Sequence, residues 1–449
     1  MAKKKVVVIG GGWAGCSAAL SAAKQGADVT LLERADMLLG TGLVGGIFRN
    51  NGRFTAAEEA IAMGGGELFE RMDACTIHKD FQFPGHQHAS MYASRAIEPL
   101  VAQALEDYGV ATRMLTRATE VEMDGTRMVA VLTGKEAGAE RFEADAFVET
   151  TGTSASPGNC NRHGAGCCMC ILRCHTFGMR VSIAGKAGIA EMTGRKGDHV
   201  GAMSGACEIL KETIDPKLVA ELNRSGVLVV PIPQNDQPGS AKLDAKCCQQ
   251  YNLPEYAANL IILDNGEAKL MTPFFPLHQL RSIPGFKRAR YADPYSGGVG
   301  NSMRYFGMSP RNDALKVEGL ENVFCGGEKA GLLVGHTEAI VTGLLAGYNA
   351  ARFACGEEPL VLPDSLAIGD AIQHVREEMQ TEKGLGYKYT FSGSVYFERM
   401  KQRGSYLMDI PEIRRRVAAA GLTDVFGWRA GVAEQGNGRE LAAQAADLW

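Results

Sequence analysis

Five of the twelve cysteines in this 449-residue chain lie within fifteen residues of one another, in the stretch GNCNRHGAGCCMCILRCHTFG (158–178). The last part of this stretch has the spacing C-x2-C-x3-C, which is typical of compact runs of thiolates that ligate iron–sulfur clusters. Another cysteine lies seven residues upstream, and the polar, glycine-containing residues between allow the chain to bend back. The spacing therefore predicts a [4Fe–4S] cluster on four of these cysteines. The predicted ligands are Cys160, Cys167, Cys170 and Cys174.

Three other interpretations of this stretch stay open. A structural zinc site is one, although such sites usually show two paired knuckles separated by a longer spacer. The adjacent Cys167 and Cys168 allow a redox-active dithiol, and buried thiols without any chemistry are the third alternative. If a cluster is present, Cys168 is not a ligand, and Arg162 and Arg173 would offset the negative charge of the cluster.

A second chemical signal lies at the start of the chain, in KVVVIGGGWAGCSAALSAAKQGADVTLLER (5–34). An apolar run leads into glycines at positions 10, 12 and 15, which have the spacing G-x-G-x-x-G. Gly10 permits a tight turn, Gly12 lets the backbone approach a pyrophosphate, and Gly15 lets helix and strand pack closely. Glu33 ends the next apolar run, where a carboxylate can bind ribose hydroxyls. The pattern predicts a strand–loop–helix–strand dinucleotide unit, and the alternative is a glycine-rich turn without a ligand.

The fingerprint alone does not distinguish FAD from NAD, but later segments do. DAFVETTGT (145–153) and GLENVFCGGEKAG (319–331) resemble the second and third FAD-contacting segments of two-dinucleotide-fold flavoproteins. More narrowly, residues 319–352 resemble the FAD-closing segment of the GidA-like flavoproteins, which include the folate- and FAD-dependent tRNA uracil methyltransferases. The resemblance is clear over roughly residues 1–50 and 319–352, and it implies FAD as the cofactor.

The resemblance also implies which residues contact FAD. The segment LLGTGLVGGIFRNNGRF (38–54) would contact the flavin and its ribityl chain, and a helix after the last strand would direct its N-terminus at the flavin ring. A helix N-terminus stabilises negative charge on a reduced flavin. Besides the fingerprint residues, the implied FAD contacts are Gly45, Gly46, Thr151, Gly152, Gly327, Glu328 and Thr337. His336, at the start of the same helix, is the candidate catalytic residue.

These elements predict an α/β fold. It is a Rossmann-like FAD-binding fold of the two-dinucleotide-fold type, with an inserted α+β substrate domain and a helical C-terminal extension. The predicted FAD-binding domain comprises residues 1–178, including the cysteine-rich loop, and the closing segment 319–355. The predicted insertion is 179–318, in which Asn265–Gly266 forms a hairpin turn, and the helical extension is 356–449.

Three further groups of residues are candidates for a substrate site. His78, His86 and His88 are close in sequence on a predicted loop, where they would bind an anion or shuttle protons, or would simply be solvated. Cys247 and Cys248 either attack or shield a uracil, as cysteines do in the tRNA-modifying relatives, or pack in a core. A glycine-rich stretch suggests a loop over an anionic or planar substrate. Its residues are Arg290, Tyr291, Tyr295, Arg304 and Tyr305.

Composition and charge restrict the class of protein. The formal net charge of −4 gives no overall attraction to nucleic acid, so no nucleic-acid partner is expected. No apolar run reaches the roughly 18 residues that a membrane span needs. The apolar run at the start is too short for a secretory signal, so a cytoplasmic protein with no membrane association is expected.

The main functional hypothesis follows from an absence in the sequence. No second glycine fingerprint follows a strand, so no separate NAD(P)H domain is expected, and electrons need another entrance. The sequence predicts an FAD- and [4Fe–4S]-dependent oxidoreductase that acts on a small molecule and exchanges single electrons with a ferredoxin-like carrier. One alternative is a folate/FAD-dependent RNA uracil methyltransferase-like enzyme. Another is a non-catalytic electron-transfer subunit. The C-terminal helices are compatible with a homo-oligomer.

Overall fold

A computed structural model describes most of the chain. The described residues are 3–135, 138–153, 180–196, 199–200, 202–204, 207–237, 252–271, 275–292, 302–304 and 306–429. The cysteine-rich stretch 158–178 and the cysteine pair 247–248 lie outside these ranges.

The strands and helices alternate in the first part of the chain and again near its end. The strands are β1 (Lys5–Ile9), β2 (Asp28–Leu32), β3 (Ile47–Phe48), β4 (Thr76–Phe83), β5 (His86–Tyr92), β6 (Ala111–Arg113), β7 (Glu120–Asp124), β8 (Arg127–Leu132), β9 (Arg141–Glu143), β10 (Ala146–Glu149), β11 (Met192–Thr193), β12 (Arg195–Lys196), β13 (His199–Val200), β14 (Ala202–Ser204), β15 (Cys207–Ile209), β16 (Val227–Pro231), β17 (Asn259–Asp264), β18 (Ala268–Leu270), β19 (Ser302–Arg304), β20 (Gly307–Met308) and β21 (Val323–Cys325). The α-helices are α1 (Trp13–Lys24), α2 (Gly52–Ala62), α3 (Glu67–Ala74), α4 (Ile97–Asp107), α5 (Ile183–Lys186), α6 (Pro216–Ser225), α7 (Pro254–Ala258), α8 (Leu277–Ser282), α9 (His336–Ala354), α10 (Ala367–Glu378), α11 (Ser394–Gln402) and α12 (Ile410–Ala419).

A parallel five-stranded sheet with the order β21-β10-β1-β2-β6 organises the molecule. Strand β1 pairs on both sides, with Val6 opposite Val29 of β2 and opposite Ala146 of β10. Its apolar sequence suits a strand that is buried on both faces, as in parallel sheets covered by helices. The predicted α/β, Rossmann-like fold is confirmed.

Helices α1 and α9 cover the same face of this sheet and pack very closely. A Cβ atom on Gly343 would lie 2.1 Å from the carbonyl oxygen of Ala14, and one on Gly347 would lie 2.1 Å from that of Ala18. Both glycines are helical, so they are needed for close approach and not for an unusual backbone conformation. The contact holds the N-terminal ends of the two helices at the carboxyl ends of β1, β10 and β21.

A second hydrophobic core lies within the predicted insertion. The antiparallel sheet β15-β18-β17-β16 packs residues such as Leu228, Ile262 and Phe286 away from solvent. The two ends of the predicted interval 179–318 do not belong to this second core. Residues near both ends, such as Ile183 and Leu315, pack in the main core. The part with a core of its own is therefore narrower than 179–318. The predicted hairpin at Asn265–Gly266 is confirmed, since β17 and β18 pair antiparallel.

The histidine-bearing segment is a β-hairpin and not the loop that the sequence suggested. Strands β4 and β5 pair antiparallel and join β3 in a three-stranded sheet. Side chains of this sheet, including Phe83 and Met91, pack against Leu263 and Met271 of the inserted part. This small apolar cluster joins the two parts of the molecule.

The C-terminal helices pack on the main core through apolar residues such as Ile372 and Tyr396. Buried carboxylates fix them in place. Glu59 accepts hydrogen bonds from the backbone N–H groups of Ala367 and Ile368, 2.9 and 3.0 Å away, and pairs with Arg416 at 2.7 Å. Within the described ranges, no helix has the length and apolar composition needed to cross a membrane.

Candidate functional site

The first glycine turn leaves open space at the N-terminus of α1. Gly10 has a φ of +104°, and a Cβ atom there would lie 2.6 Å from the carbonyl oxygen of Thr150. A Cβ atom on Gly15 would lie 1.8 Å from the carbonyl oxygen of Gly10. A Cβ atom on Gly12 would meet nothing within 4 Å. The first and third glycines therefore serve packing, whereas the second faces a space that a phosphate group could fill.

No side chain caps α1. Its N-cap residue is Gly12, and its first turn contains no acidic residue. The first N–H groups of a helix have no partner within the helix and carry its positive dipole end, so they attract an anion. The open space in front of Gly12 and the uncapped helix end together fit a pyrophosphate.

The Glu33 carboxylate is held at the carboxyl end of β2. Oε2 accepts a hydrogen bond from the Gly11 N–H at 2.7 Å, and Oε1 accepts one from the Ala35 N–H at 2.8 Å. Each carboxylate oxygen can accept a second hydrogen bond. Glu33 is thus fixed beside the glycine turn, where the sequence predicts that it binds ribose hydroxyls.

The other implied contact segments meet at the same edge of the sheet. The Thr150 hydroxyl donates to the carbonyl oxygen of Ile9 at 2.9 Å, which ties the end of β10 to the glycine turn. Thr153 donates to Glu328 Oε2 at 2.5 Å. A Cβ atom on Gly327 would lie 3.0 Å from Ala14 Cβ. The structure therefore brings Thr151–Thr153 and Gly327–Glu328 next to the fingerprint loop.

A second uncapped helix end lies close to the first. Helix α9 has Gly335 as its N-cap residue and no side-chain cap. In its first turn, the Thr337 hydroxyl is fully buried and has no hydrogen-bond partner among the described residues. A buried polar group without a partner costs roughly 1–3 kcal/mol, so this hydroxyl fits an external donor or acceptor. Both helix ends and Thr337 are therefore suited to an extended, partly anionic ligand.

His336 lies in an aromatic group that the sequence did not predict. Its ring centroid is 5.9 Å from those of Trp13 and Tyr92, and Nδ1 lies 2.9 Å from the Tyr92 hydroxyl. Tyr92 also lies 3.1 Å from the carbonyl oxygen of Gly42, which can only accept. Both contacts are satisfied when Tyr92 donates to Gly42 and His336 Nδ1–H donates to Tyr92. Nδ1 then carries the proton, and Nε2 is the acceptor nitrogen.

The glycine pair of the implied flavin segment lies against His336 and the inserted part. A Cβ atom on Gly45 would lie 1.7 Å from His336 Cε1, and one on Gly46 would lie 3.0 Å from Asn265 Cβ. Lys269 Nζ donates to the carbonyl oxygen of Gly45 at 2.7 Å. The Asn265–Gly266 turn of the inserted hairpin thus contacts the segment that is expected to touch the flavin.

A buried carboxylate that the sequence did not indicate supports the end of β10. Glu149 is completely buried and accepts hydrogen bonds from the N–H groups of Ile183 and Ala184, both at 2.8 Å. Lys329 Nζ lies 3.4 Å from Glu149 Oε1 and is also completely buried. The Glu149 carboxylate therefore joins the strand that carries Thr151 to helix α5 and to the Gly327–Lys329 turn.

A second ion-pair group flanks Thr151. Arg180 Nη2 lies 2.7 Å from Glu191 Oε1, Lys329 also donates to Glu191, and Arg180 Nη1 donates to Thr151 Oγ1 at 3.4 Å. Burial alone would raise the pKa of Glu191, but the two cations lower it to about 2. Glu191 is therefore ionised near neutral pH. Arg180 directly follows the part of the chain that the structure does not describe.

The three sequence-adjacent histidines do not form one site. His78 Nε2 lies 2.9 Å from Asp264 of the inserted part, and His88 Nδ1 lies 3.0 Å from Asp80. His86 is buried 2.9 Å from the Asn50 amide, and burial together with the charge of Arg53 lowers its pKa to about 3. The predicted cluster is therefore wrong.

Of the other candidate residues, some do not lie on the predicted loop over a substrate, and for the rest the structure describes no side chain. Tyr291 is a core residue whose hydroxyl donates to the carbonyl oxygen of Phe275, whereas Arg290 is exposed. In the described ranges, no group of three or more His, Cys, Asp or Glu side chains is arranged to hold a metal ion. The candidates on which the structure gives no side-chain information are Cys160, Cys167, Cys168, Cys170, Cys174, Cys247, Cys248, Tyr295, Arg304 and Tyr305.

Comparison with protein families gives two matches, which together span more than half of the chain. Residues 5–155 match the family model described as FAD dependent oxidoreductase. Residues 265–358 match the model described as Glucose inhibited division protein A. The two ranges contain the glycine turn, Glu33 and the first turn of α9.

Curated relatives match over shorter segments, and two of them serve as examples. Methylenetetrahydrofolate–tRNA-(uracil-5-)-methyltransferase TrmFO of Moorella thermoacetica is 36% identical over 103 residues, which are 22% of this chain and 22% of that protein. The tRNA uridine 5-carboxymethylaminomethyl modification enzyme MnmG of Heliobacterium modesticaldum is 34% identical over 124 residues, which are 27% of this chain and 18% of that protein. The matched segments therefore span about a fifth of the length of these relatives.

The solved structures show the same fold over a much larger part of the chain. GidA of Aquifex aeolicus in the form II crystal has a TM-score of 0.65 at 16% identity, and the match covers 99% of this chain and 76% of that one. The form I crystal of the same protein gives a TM-score of 0.64.

Proposed function

Since this chain belongs to the GidA-like family of FAD-dependent oxidoreductases, we propose that it binds FAD along the carboxyl edge of its parallel sheet and carries out a flavin-dependent redox reaction. One observation carries the proposal. Two uncapped helix N-termini, those of α1 and α9, lie at this edge, and the buried Thr337 hydroxyl beside the second has no partner among the described residues.

The proposed contacts follow the shape of the cofactor. The N-terminus of α1 and the open space at Gly12 would take the pyrophosphate, and Glu33 would accept hydrogen bonds from the adenosine ribose. Thr337 and the N-terminus of α9 would contact the edge of the flavin ring that carries negative charge when the flavin is reduced. When bound, FAD supplies the capacity to take or give an electron pair.

We assign the proton-transfer role to His336. Tyr92 holds Nδ1, so Nε2 is the nitrogen that would accept or return a proton. The Nε2 atom lies beside Gly45, where the sequence implies flavin contact, and a Cβ atom there would come within 2.3 Å of it. Histidine is the side chain that most often serves in general acid–base catalysis.

The substrate is a separate question, and a base of an RNA molecule is the first candidate. The relatives that match the chain are named as tRNA-modifying enzymes. The inserted part also exposes a short cationic run, with Lys287, Arg288 and Arg290 at the surface. Such a run would bind phosphates independently of sequence. This candidate departs from the expectation of no nucleic-acid partner, which rested on the overall charge of −4 and on the predicted cluster.

The cysteine spacing favours a second candidate, the oxidation or reduction of a small molecule. Cys160, Cys167, Cys170 and Cys174 would hold a [4Fe–4S] cluster that exchanges single electrons with a ferredoxin-like carrier. The described residues on either side of this stretch, Thr151–Thr153 and Arg180, lie at the edge of the proposed FAD site. A cluster in this segment would therefore be connected to the flavin domain at both ends.

The cofactor is tested by denaturing the purified protein and identifying the nucleotide that it releases. We expect FAD. Release of NAD, or no flavin retained even after reconstitution with FAD, would refute the proposal.

The substrate class is tested by tRNA binding at several salt concentrations. If RNA is the substrate, reversing the charges of Lys287, Arg288 and Arg290 to Glu should weaken binding and lower the salt dependence, by a slope of about one per lost phosphate contact. Reversing the exposed Arg414 and Arg415 of α12 to Glu, two charges in place of three, is the control at another surface and should have no such effect. Absence of binding above background at physiological salt would reject RNA and leave the small-molecule candidate.

A further inference from the structure

Glu338, in the first turn of α9, is completely buried and bound by groups from two distant parts of the chain. Arg53 Nε lies 3.1 Å from both of its carboxylate oxygens. The Thr390 hydroxyl donates to Oε1 at 2.6 Å, and the Phe391 N–H donates to the same oxygen at 2.9 Å. The buried carboxylate thus has three donors, one of which is the Arg53 cation, as a buried anion requires.

This arrangement differs from the usual role of a glutamate at the third position of a helix. Such a residue normally turns back to accept a hydrogen bond from the N–H of the N-cap residue. Here Arg53, Thr390 and Phe391 engage the carboxylate, and the N-cap residue Gly335 makes no side-chain cap bond. The first turn of α9 is therefore left for an external acceptor.

Gly335 lies directly against the Arg53–Glu338 ion pair. Its φ is +148°, and a Cβ atom there would lie 2.1 Å from Arg53 Nη2 and 2.1 Å from Glu338 Oε2. The chain thus approaches the ion pair so closely that only glycine fits. A displacement of the Arg53–Glu338 pair would consequently displace the start of the helix.

The C-terminal part of the chain also binds the loop that precedes α9. The Tyr389 N–H donates to the carbonyl oxygen of Leu332 at 2.8 Å, and the Val334 N–H donates to that of Tyr389 at 3.0 Å. Thr390 in addition accepts a hydrogen bond from Arg53 Nη2 at 3.2 Å. Residues 389–391 therefore hold both the loop before α9 and the carboxylate in its first turn.

The charges at this site also bear on a reduced flavin. Glu338 and Arg53 are oppositely charged and nearly completely buried, so together they add almost no net charge beside His336 and Thr337. Loss of the Glu338 charge alone would leave the Arg53 cation uncompensated in a poorly screened environment. An uncompensated cation near the ring would favour the negatively charged, reduced form of the flavin.

We propose that Glu338, Arg53 and Thr390 are positioning residues through which the C-terminal segment 389–391 sets the orientation of the N-terminus of α9 and the reduction potential of the bound flavin. The inference rests on the proposed FAD site. It assigns to the C-terminal extension a part in tuning the cofactor, which goes beyond the redox reaction proposed above.

The test compares Glu338→Gln with Glu59→Gln. Both are buried glutamates that accept two backbone or hydroxyl hydrogen bonds and pair with one arginine, but Glu59 binds α10 and Arg416, away from the first turn of α9. For each protein, three quantities are measured: the Tm of the apoprotein, its dissociation constant for FAD, and the midpoint potential of the bound flavin.

We expect both variants to lower the Tm of the apoprotein, and only Glu338→Gln to change the other two quantities. Its FAD dissociation constant should rise. Its affinity for reduced relative to oxidised FAD should rise about tenfold, which is a positive shift of ~30 mV for a two-electron couple. Thr390→Val removes one hydroxyl donor but leaves both charges in place, so it should raise the FAD dissociation constant and change the potential less than Glu338→Gln does. It replaces Glu338→Gln if that variant does not fold.

Two results would overturn the inference while leaving the proposed function intact. In the first, the unmodified chain binds FAD, and the Glu338 and Thr390 variants have the same FAD affinity and the same flavin potential as the unmodified chain. The other is an equal shift in the Glu59 variant, which would mean that general loosening is the cause. If the unmodified chain binds no FAD, the proposed function fails first, and this inference fails with it.

Discussion

The hydroxyl group of Tyr92 lies 2.9 Å from Nδ1 of His336, although 244 residues separate them in the chain. Tyr92 is completely buried, and burial raises the pKa of its hydroxyl, so it remains protonated. Its second contact, the carbonyl oxygen of Gly42, accepts the hydrogen bond that the tyrosine hydroxyl donates. The pair therefore selects one tautomer of the candidate catalytic histidine.

Tyr92→Phe should remove the preference of His336 for one tautomer and keep the aromatic ring that packs against Trp13 and Phe48. We expect FAD binding to persist, and the His336 signal in ¹⁵N-histidine NMR to change from a protonated Nδ1 towards a mixture of tautomers. Turnover should fall by about tenfold to a hundredfold, which is less than the roughly hundredfold to ten-thousandfold contribution of a general acid or base, because Tyr92 acts only through His336. A His336→Gln sample assigns the signal.

The control is Tyr396→Phe, which also removes a buried tyrosine hydroxyl. That hydroxyl donates to the carbonyl oxygen of Ala367 at 2.8 Å, in the C-terminal helices. It should cost about 1 kcal/mol of stability and leave the His336 signal unchanged. An unchanged His336 tautomer in Tyr92→Phe would refute the assignment of Nε2 as the acceptor nitrogen.

Two glycines of the fingerprint should respond in opposite ways to substitution. Gly12→Val should leave the Tm of the apoprotein within a few degrees of the original, because a Cβ atom there meets nothing within 4 Å and φ is −72°. It should nevertheless abolish FAD retention, since the side chain would occupy the space proposed for the pyrophosphate. Flavin absorbance after gel filtration measures retention.

Gly15→Ala is the matched comparison. Its methyl group would lie 1.8 Å from the carbonyl oxygen of Gly10, a backbone atom that cannot move aside without opening the turn. We expect a clear drop in Tm or loss of soluble protein. If Gly12→Val retained FAD with unchanged affinity, the pyrophosphate could not lie in front of α1.

How far the sequence predicts this site depends on whether a feature is local. The glycine spacing, the apolar strand and Glu33 all lie within thirty residues, and steric limits on the turn fix their relation. The same holds for the Asn265–Gly266 hairpin, whose turn residues determine the strand pairing. Both were predictable because backbone geometry alone relates their residues.

The remaining features depend on contacts between segments far apart in the chain. No periodicity relates Tyr92 to His336, or Arg53 to Glu338 and Thr390. Proximity in sequence can also mislead. His78 contacts Asp264 and His86 contacts Asn50, because the hairpin directs their side chains to different neighbours. Packing of whole elements decides these contacts, and only the structure supplies it.

Acid stability should report on the Glu191 carboxylate beside Thr151. Its pKa is about 2 in the folded protein, below the ordinary glutamate value of 4.5, because Lys329 and Arg180 outweigh the effect of burial. A depressed pKa means that the unfolded chain binds the proton more readily. The stability from this group is therefore present above about pH 4.5 and is lost as the pH falls towards 2.

Glu191→Gln should lower the free energy of unfolding at pH 7 by about 1–3 kcal/mol, a range that allows for partial solvent screening. The difference from the unmodified protein should shrink between pH 5 and the lowest pH at which the fold persists. Urea unfolding at several pH values measures it. A constant difference across this range would mean that Gln disturbs the packing and that the carboxylate charge contributes little.

The cysteine stretch is tested by substitution at two neighbouring positions. Thiolate ligation needs several soft donors at one point, and this stretch supplies four with suitable spacing. Anaerobically prepared protein should contain about four irons per chain, as the predicted cluster type requires, and dithionite should bleach its broad visible absorption. Cys170→Ala should lose the iron, whereas Cys168→Ala, two residues away, should keep it. Both variants should retain FAD, because Gly12 and Glu33 lie elsewhere in the chain.

Stoichiometric zinc without iron would replace the cluster by a structural metal site, and equal iron in both variants would show that the ligand set is wrong. If the iron is present but turnover with a one-electron donor survives its loss, the cluster does not carry the electrons.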